Sequence, residues 1–181
     1  MALPVFNPPT PQPEIPSPRP HSFVDPQMTL KQARELLLNG VGAGTVCPCC
    51  RQFAKVYRRA LNAPMARWLI WIVKAFLVEC RWYDFRESPM IQARKGGGDF
   101  AKLLHWGLIQ TAEPSQVQNT KRTSGLYRPT SKGINYALGR MSVPSHVFLY
   151  NNTVAGWSDK KVTIQEALGE QFDYRALMAA A

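Results

Sequence analysis

The chain has 181 residues, 45% of them hydrophobic, with 22 Lys and Arg against 12 Asp and Glu, a net charge of +10. The hydrophobic share excludes a wholly disordered polymer, and the length suits one ordinary domain with appendages or two small ones. The basic excess points to a polyanionic partner, nucleic acid before an acidic membrane surface.

A membrane-spanning helix needs roughly 18 or more apolar residues in a row. The nearest stretch, Met65 to Val78, is broken by Arg67 and Lys74 and reads as a core helix. The start, MALPVFNPPT, lacks the basic opening and apolar run of a secretory signal. Three of the four cysteines lie in Cys47-Pro48-Cys49-Cys50, which is not a disulfide framework. These features predict a cytoplasmic protein without a membrane partner, nucleoid-associated if it binds DNA.

The charge is concentrated. Residues 51–140 hold sixteen basic and five acidic side chains, a net of +11, while residues 1–50 are neutral and residues 141–181 carry −1. Nine of the fifteen prolines fall within the first 26 residues. Proline fixes φ and removes a backbone donor, so residues 1–27 are expected to form a disordered, proline-rich tail.

Thr29 can cap a helix running to Asn39, with Gly40 as its stop and Leu30, Ala33, Leu36 and Leu37 as its apolar face. The glycine-rich Gly40 to Thr45 follows a helix rather than a strand and lacks a Gly-Lys-Ser/Thr, which excludes a phosphate loop. Arg51 to Leu61 reads as a basic amphipathic helix, and Arg58 and Arg59 on it form a secondary basic patch. A mostly buried helix should start at Pro64 and last to about Cys80. Ser88-Pro89 should open a short helix through Arg94, Gly96 to Gly98 should turn, and Asp99 should cap a helix holding Phe100, Leu103, Leu104 and Trp106.

The period then becomes extended. Leu108 to Ala112 and Gly125 to Arg128 read as paired strands around a polar loop, and Thr130 should cap a helix ending at Gly139. In the last forty residues, Val147 to Tyr150 and Thr153 to Trp157 form an expected hairpin about Asn151-Asn152. Thr163 and Glu166 make a capping box, and a last short helix covers Phe172 to Met178. These segments suit docking, dimerisation or packing within the chain.

Two stretches, Asp99 to Gln110 (DFAKLLHWGLIQ) and Gly125 to Gly133 (GLYRPTSKG), carry a resemblance to the winged helix-turn-helix family of DNA-binding domains. The first resembles the end of a recognition helix running into a wing strand, the second the end of the other wing strand. Pro129 stands where that family usually has an apolar residue, at what should be an edge position. The whole chain also resembles small phage or prophage proteins of unassigned role. The resemblance implies an α+β fold: a winged helix-turn-helix core over 63–140, N-terminal helices with the cysteine cluster over 28–62, and a β-hairpin and short-helix appendage over 141–181.

It further implies a double-stranded DNA partner. Gln92, Arg94, Lys95 and Lys102 would reach from the recognition helix, and Lys121, Arg122, Thr123 and Arg128 from the wing. The expected function is a transcriptional regulator of phage or bacterial origin, acting as a homodimer on two half-sites. The alternative is a non-enzymatic inhibitor or adaptor that sets the same basic face on an acidic protein.

No Ser-His-Asp, paired-carboxylate or His-Glu-x-x-His pattern is present, and no catalytic residue is expected. No cofactor is required by the sequence. Cys47-x-x-Cys50 has the spacing of half a structural zinc site, with Cys49, Cys80 and His105 as completing ligands or a second chain supplying the same pair. Free or buried thiols and a redox dithiol are the other readings.

Overall fold

The computed structural model describes residues 27–89, 99–113 and 125–179. The proline-rich tail therefore lies outside the described residues. Helix α1 (Leu30–Gly40) begins as its sequence dictates: Thr29 Oγ1 accepts from Gln32 N, and Gln32 Oε1 accepts from Thr29 N at 2.9 Å. That box satisfies two backbone donors that a helix start leaves free. Its expected apolar face is only partly used, since Ala33 is buried while Leu30 and Leu36 are exposed.

The segment expected as a basic helix is instead extended. Strands β1 (Thr45–Val46) and β2 (Phe53–Ala54) form a small antiparallel hairpin about the cysteines, and β3 (Tyr57–Ala60) follows. Apolar spacing alone permitted a helix there, but an isolated helix of that length is marginal in water and tertiary pairing prevails. Strand β3 pairs with β8 (His146–Tyr150), which pairs in turn with β9 (Thr153–Trp157), in the order β3-β8-β9. The last forty residues are thus joined by a sheet to residues 57–60. Asn151 and Asn152 both take positive φ, 49° and 59°, as a two-residue hairpin turn requires.

Helix α2 (Ala63–Glu79) is the central element. Asn62 caps it through Oδ1, which accepts from Met65 N at 3.1 Å, and Cys80 ends it in a left-handed conformation. Trp68, Leu69, Ile72 and Val73 are fully buried. Around α2 pack the 3-10 helix Phe100–Trp106, strand β6 (Leu126–Pro129), and the helices α3 (Ser131–Ala137), α4 (Ile164–Leu168) and α5 (Tyr174–Ala179). Phe100 stacks on Trp68, ring centroids 4.5 Å apart, and meets Tyr127 edge-on at 5.2 Å. Such pairs add to simple burial because ring edges and faces carry opposite charge.

A second sheet follows α2. Strand β4 (Tyr83–Asp84), a 3-10 turn at Phe85–Glu87, the 3-10 helix, β5 (Ile109–Thr111) and β6 come in that chain order, yet β6 lies between β4 and β5. Pro129 is tolerated in this central strand for a local reason. Thr130 N donates to Leu108 O and Ala112 N to Leu126 O, both at 3.1 Å, so even-numbered positions of β6 face β5. The missing donor of Pro129 falls on the other side, past Tyr127, where pairing with β4 ends. A last two-stranded pair, β7 (Val143–Pro144) with β10 (Lys161–Val162), completes a mixed α and β fold with open sheets.

Candidate nucleic-acid interface

Asp99 does not cap the following helix. It makes no side-chain capping bond, and its carboxylate pairs with Lys102 Nζ three residues on. The helix is a 3-10 helix from Phe100 to Trp106 that buries Phe100, Leu103 and Trp106 and leaves Lys102 and His105 half-buried on its outer side. Burial, then the charge of Lys102, lowers the His105 pKa and favours the neutral ring. Trp106 Nε1 donates to Pro144 O and Lys132 Nζ to Trp106 O, each at 2.7 Å. The helix is thereby tied both to α3 and to the strand that follows it.

Arg128 lies on β6, the central strand of the β4-β6-β5 sheet. Its guanidinium sits 4.4 Å above the Trp82 ring centroid, and Gln110 across the strand pair lies opposite it. With the Gln110 amide oxygen turned toward it, Arg128 donates from Nε and Nη2 at 2.5 and 2.8 Å. Of the eight residues expected to contact DNA, Lys102 and Arg128 are therefore both engaged within the chain. Gln92, Arg94, Lys95, Lys121, Arg122 and Thr123 lie outside the described residues.

A second basic surface runs along β2 and β3. Arg51, Lys55, Arg58 and Arg59 are exposed, and among the described residues none of them pairs with a carboxylate. A strand separates what a helix would have joined: Arg58 lies opposite Phe148 and Arg59 opposite Val147, on opposite faces of the sheet. Arg59 stands 5.5 Å from the Tyr57 ring centroid. Arg58 Nη2 lies 3.4 Å from His146 Nδ1, and Ser145 Oγ lies 2.9 Å from the same nitrogen. Burial, then the charges of Arg58 and Lys160, lowers the His146 pKa and favours the neutral ring. Val56 and Tyr57, β-branched and aromatic, lead into this strand and were the signal in the sequence that could have marked it.

The cysteine cluster forms the tip of the β1–β2 hairpin. Cys47 N donates to Gln52 O at 2.8 Å and Arg51 N to Cys47 O at 2.9 Å, closing a tight loop with Arg51 at φ 60°. Backbone N–H groups of Cys50 and Cys49, then the Cys50 side chain, favour the Cys47 thiolate and lower its pKa. Burial, then the Cys47 charge, pushes Cys49 up. All four cysteines are free thiols, and Cys80 lies at the end of α2. Among the described residues no three His, Cys, Asp or Glu side chains gather to hold a metal.

No helix among the described residues is long and apolar enough to cross a membrane. No family model, no curated protein and no solved structure matches this chain.

Proposed function

We propose that the chain binds double-stranded DNA through a winged-helix unit spanning α2 to β6 and acts as a transcriptional regulator. One observation carries the reading. Helix, strand, helical segments and a two-stranded hairpin follow one another, and the hairpin's second strand inserts between the first strand and its own partner. That order of elements and the β4-β6-β5 strand order are those expected of a winged helix, and they support the reading. The net charge of +11 over residues 51–140 supplies the attraction that phosphate binding needs.

In this reading the two engaged cations are braces. Arg128 holds the base of the wing through Trp82 and Gln110, and Lys102 holds the helix start through Asp99. Contact with DNA then falls to Gln92, Arg94 and Lys95 ahead of the helix and to Lys121, Arg122 and Thr123 in the loop between β5 and β6. Arg and Gln suit bidentate contacts to guanine and adenine, while loop Lys and Arg suit the phosphates.

The test is fluorescence anisotropy of a labelled duplex titrated with the protein at several salt concentrations. Log affinity should fall with log salt by about 0.9 for each phosphate neutralised. Replacing Arg94, Lys95, Lys121 and Arg122 together with Ala should abolish binding. Unchanged affinity in that variant overturns the proposal.

A further inference from the structure

We propose that the Cys47–Cys50 turn is one half of a tetrahedral zinc site and that a second copy of this chain supplies the other half. The turn has the form of a metal-binding knuckle. Two short antiparallel strands lead into and out of it, with Thr45 opposite Ala54 and Val46 opposite Phe53. The loop is closed by the Cys47–Gln52 and Arg51–Cys47 backbone bonds, and Arg51 takes the left-handed conformation at φ 60° that turns the chain back into the second strand. The hairpin has only two residues on each strand, too little to hold a loop of this kind in water alone. A bound ion supplies the missing constraint.

Ligand number selects the partner. A structural zinc ion takes about four ligands in a tetrahedron, commonly all thiolates. The turn offers Cys47 and Cys50, and no third His, Cys, Asp or Glu joins them among the described residues. A second copy offers an identical pair, and two-fold symmetry brings identical surfaces together. The surface beside the turn fits such a contact. Val46 and Phe53, the cross-strand pair next to the cysteines, are 53% and 61% exposed although both are apolar. The Phe53 ring lies against Gly44, where a Cβ would come within 2.6 Å of it.

The experiment measures zinc by elemental mass spectrometry and molar mass by light scattering, on the full chain purified with zinc under reducing conditions. The expected result is a dimer with about 0.5 zinc per chain. Chelation should yield metal-free monomer, and added zinc should restore the dimer. Cobalt should replace zinc and give sulfur-to-cobalt charge-transfer absorption. Cys47→Ser and Cys50→Ser should each lose metal and dimer with an unchanged far-ultraviolet circular dichroism spectrum, whereas Cys49→Ser and Cys80→Ser should keep both. One zinc per monomer would overturn the shared site, and so would a chain that takes up no zinc or a dimer that survives complete removal of the metal. Should one serine variant fail to fold, chelation of the unaltered chain decides the matter. Both readouts are taken without DNA, so they stand apart from the outcome of the duplex titration.

Discussion

The carbonyl oxygen of Leu108 stands 1.9 Å from where a Cβ on Gly133 would be. Helix α3 and the residue just before β5 are in backbone contact there, and Thr130 stitches the contact: its N–H donates to Leu108 O and its Oγ1 to Gly107 O. Gly133→Ala must push the two elements apart. Overpacking of this kind costs about 3 kcal/mol. For a chain of this size that is a loss of roughly 6–12 °C in melting temperature, measurable by calorimetry.

Arg51 has the opposite expectation. It sits at φ 60° in the cysteine turn, a region costly to any residue with a Cβ, and it makes no ion pair among the described residues. Arg51→Gly removes that strain and gives back part of it as chain entropy in the unfolded state. The expected net effect is a stabilisation of about 0.5–1 kcal/mol, read as a higher urea midpoint with an unchanged slope.

Histidine sets the pH dependence just below neutrality. His146 and His105 both have folded-state pKa values below the usual 6.5, chiefly through burial. The unfolded chain therefore binds more protons in that window, and stability rises with pH. It is fully present above the usual imidazole value and is lost as pH falls from there through the folded value. Melting temperature should drop between about pH 7.5 and about pH 5.5, and His146→Gln should flatten part of that drop. In an NMR titration, Arg58→Met should move the His146 midpoint up, since one of the charges opposing its protonation is gone.

Arg128 and Arg94 separate bracing from contact. Arg128→Met should lower stability, because the stack on Trp82 and the bonds to Gln110 are lost. Buried or half-buried charge-assisted bonds are worth about 1.5–3 kcal/mol before solvent screening, so a loss of about 1 kcal/mol is expected at this half-exposed site. Arg94→Ala should leave the melting temperature within about 1 °C and weaken duplex binding by about 1–3 kcal/mol. Equal effects of the two variants on binding and on stability would contradict the division of roles.

Much of the architecture could be read from local chemistry. Thr29, Asn62, Thr130 and Thr163 each accept from a backbone N–H at the start of a helix, as short polar side chains do. The Asn151-Asn152 turn was equally legible, because left-handed conformations at adjacent positions select few residues. The failures have two causes, one distant in the chain and one local. Strand β3 looks helical in isolation and is extended because β8, far along the chain, pairs with it. Asp99 has the right identity for a cap, but Lys102 draws its carboxylate into an ion pair. Of the interface, the charge concentration was visible in the sequence. What was not visible was that Arg128 and Lys102 would find partners inside the chain, since Trp82 and Gln110 become neighbours of Arg128 only through the strand order.

The pairing of residues 57–60 with residues 146–150 has a consequence for the order of events during synthesis. A nascent chain emerging to residue 140 carries the whole basic segment, yet it has no partner for β3 and nothing from α4 or α5 to cover α2. Closing that sheet requires a loop of well over eighty residues, and contacts so distant in the chain form slowly. Until then Leu61, Met65 and the flank of α2 facing Ile164 and Leu168 are open to water or to other chains. Premature stops in the last forty residues should therefore yield aggregates rather than shortened folded chains. A segment with a net charge of only −1 governs whether the strongly basic one is ever completed.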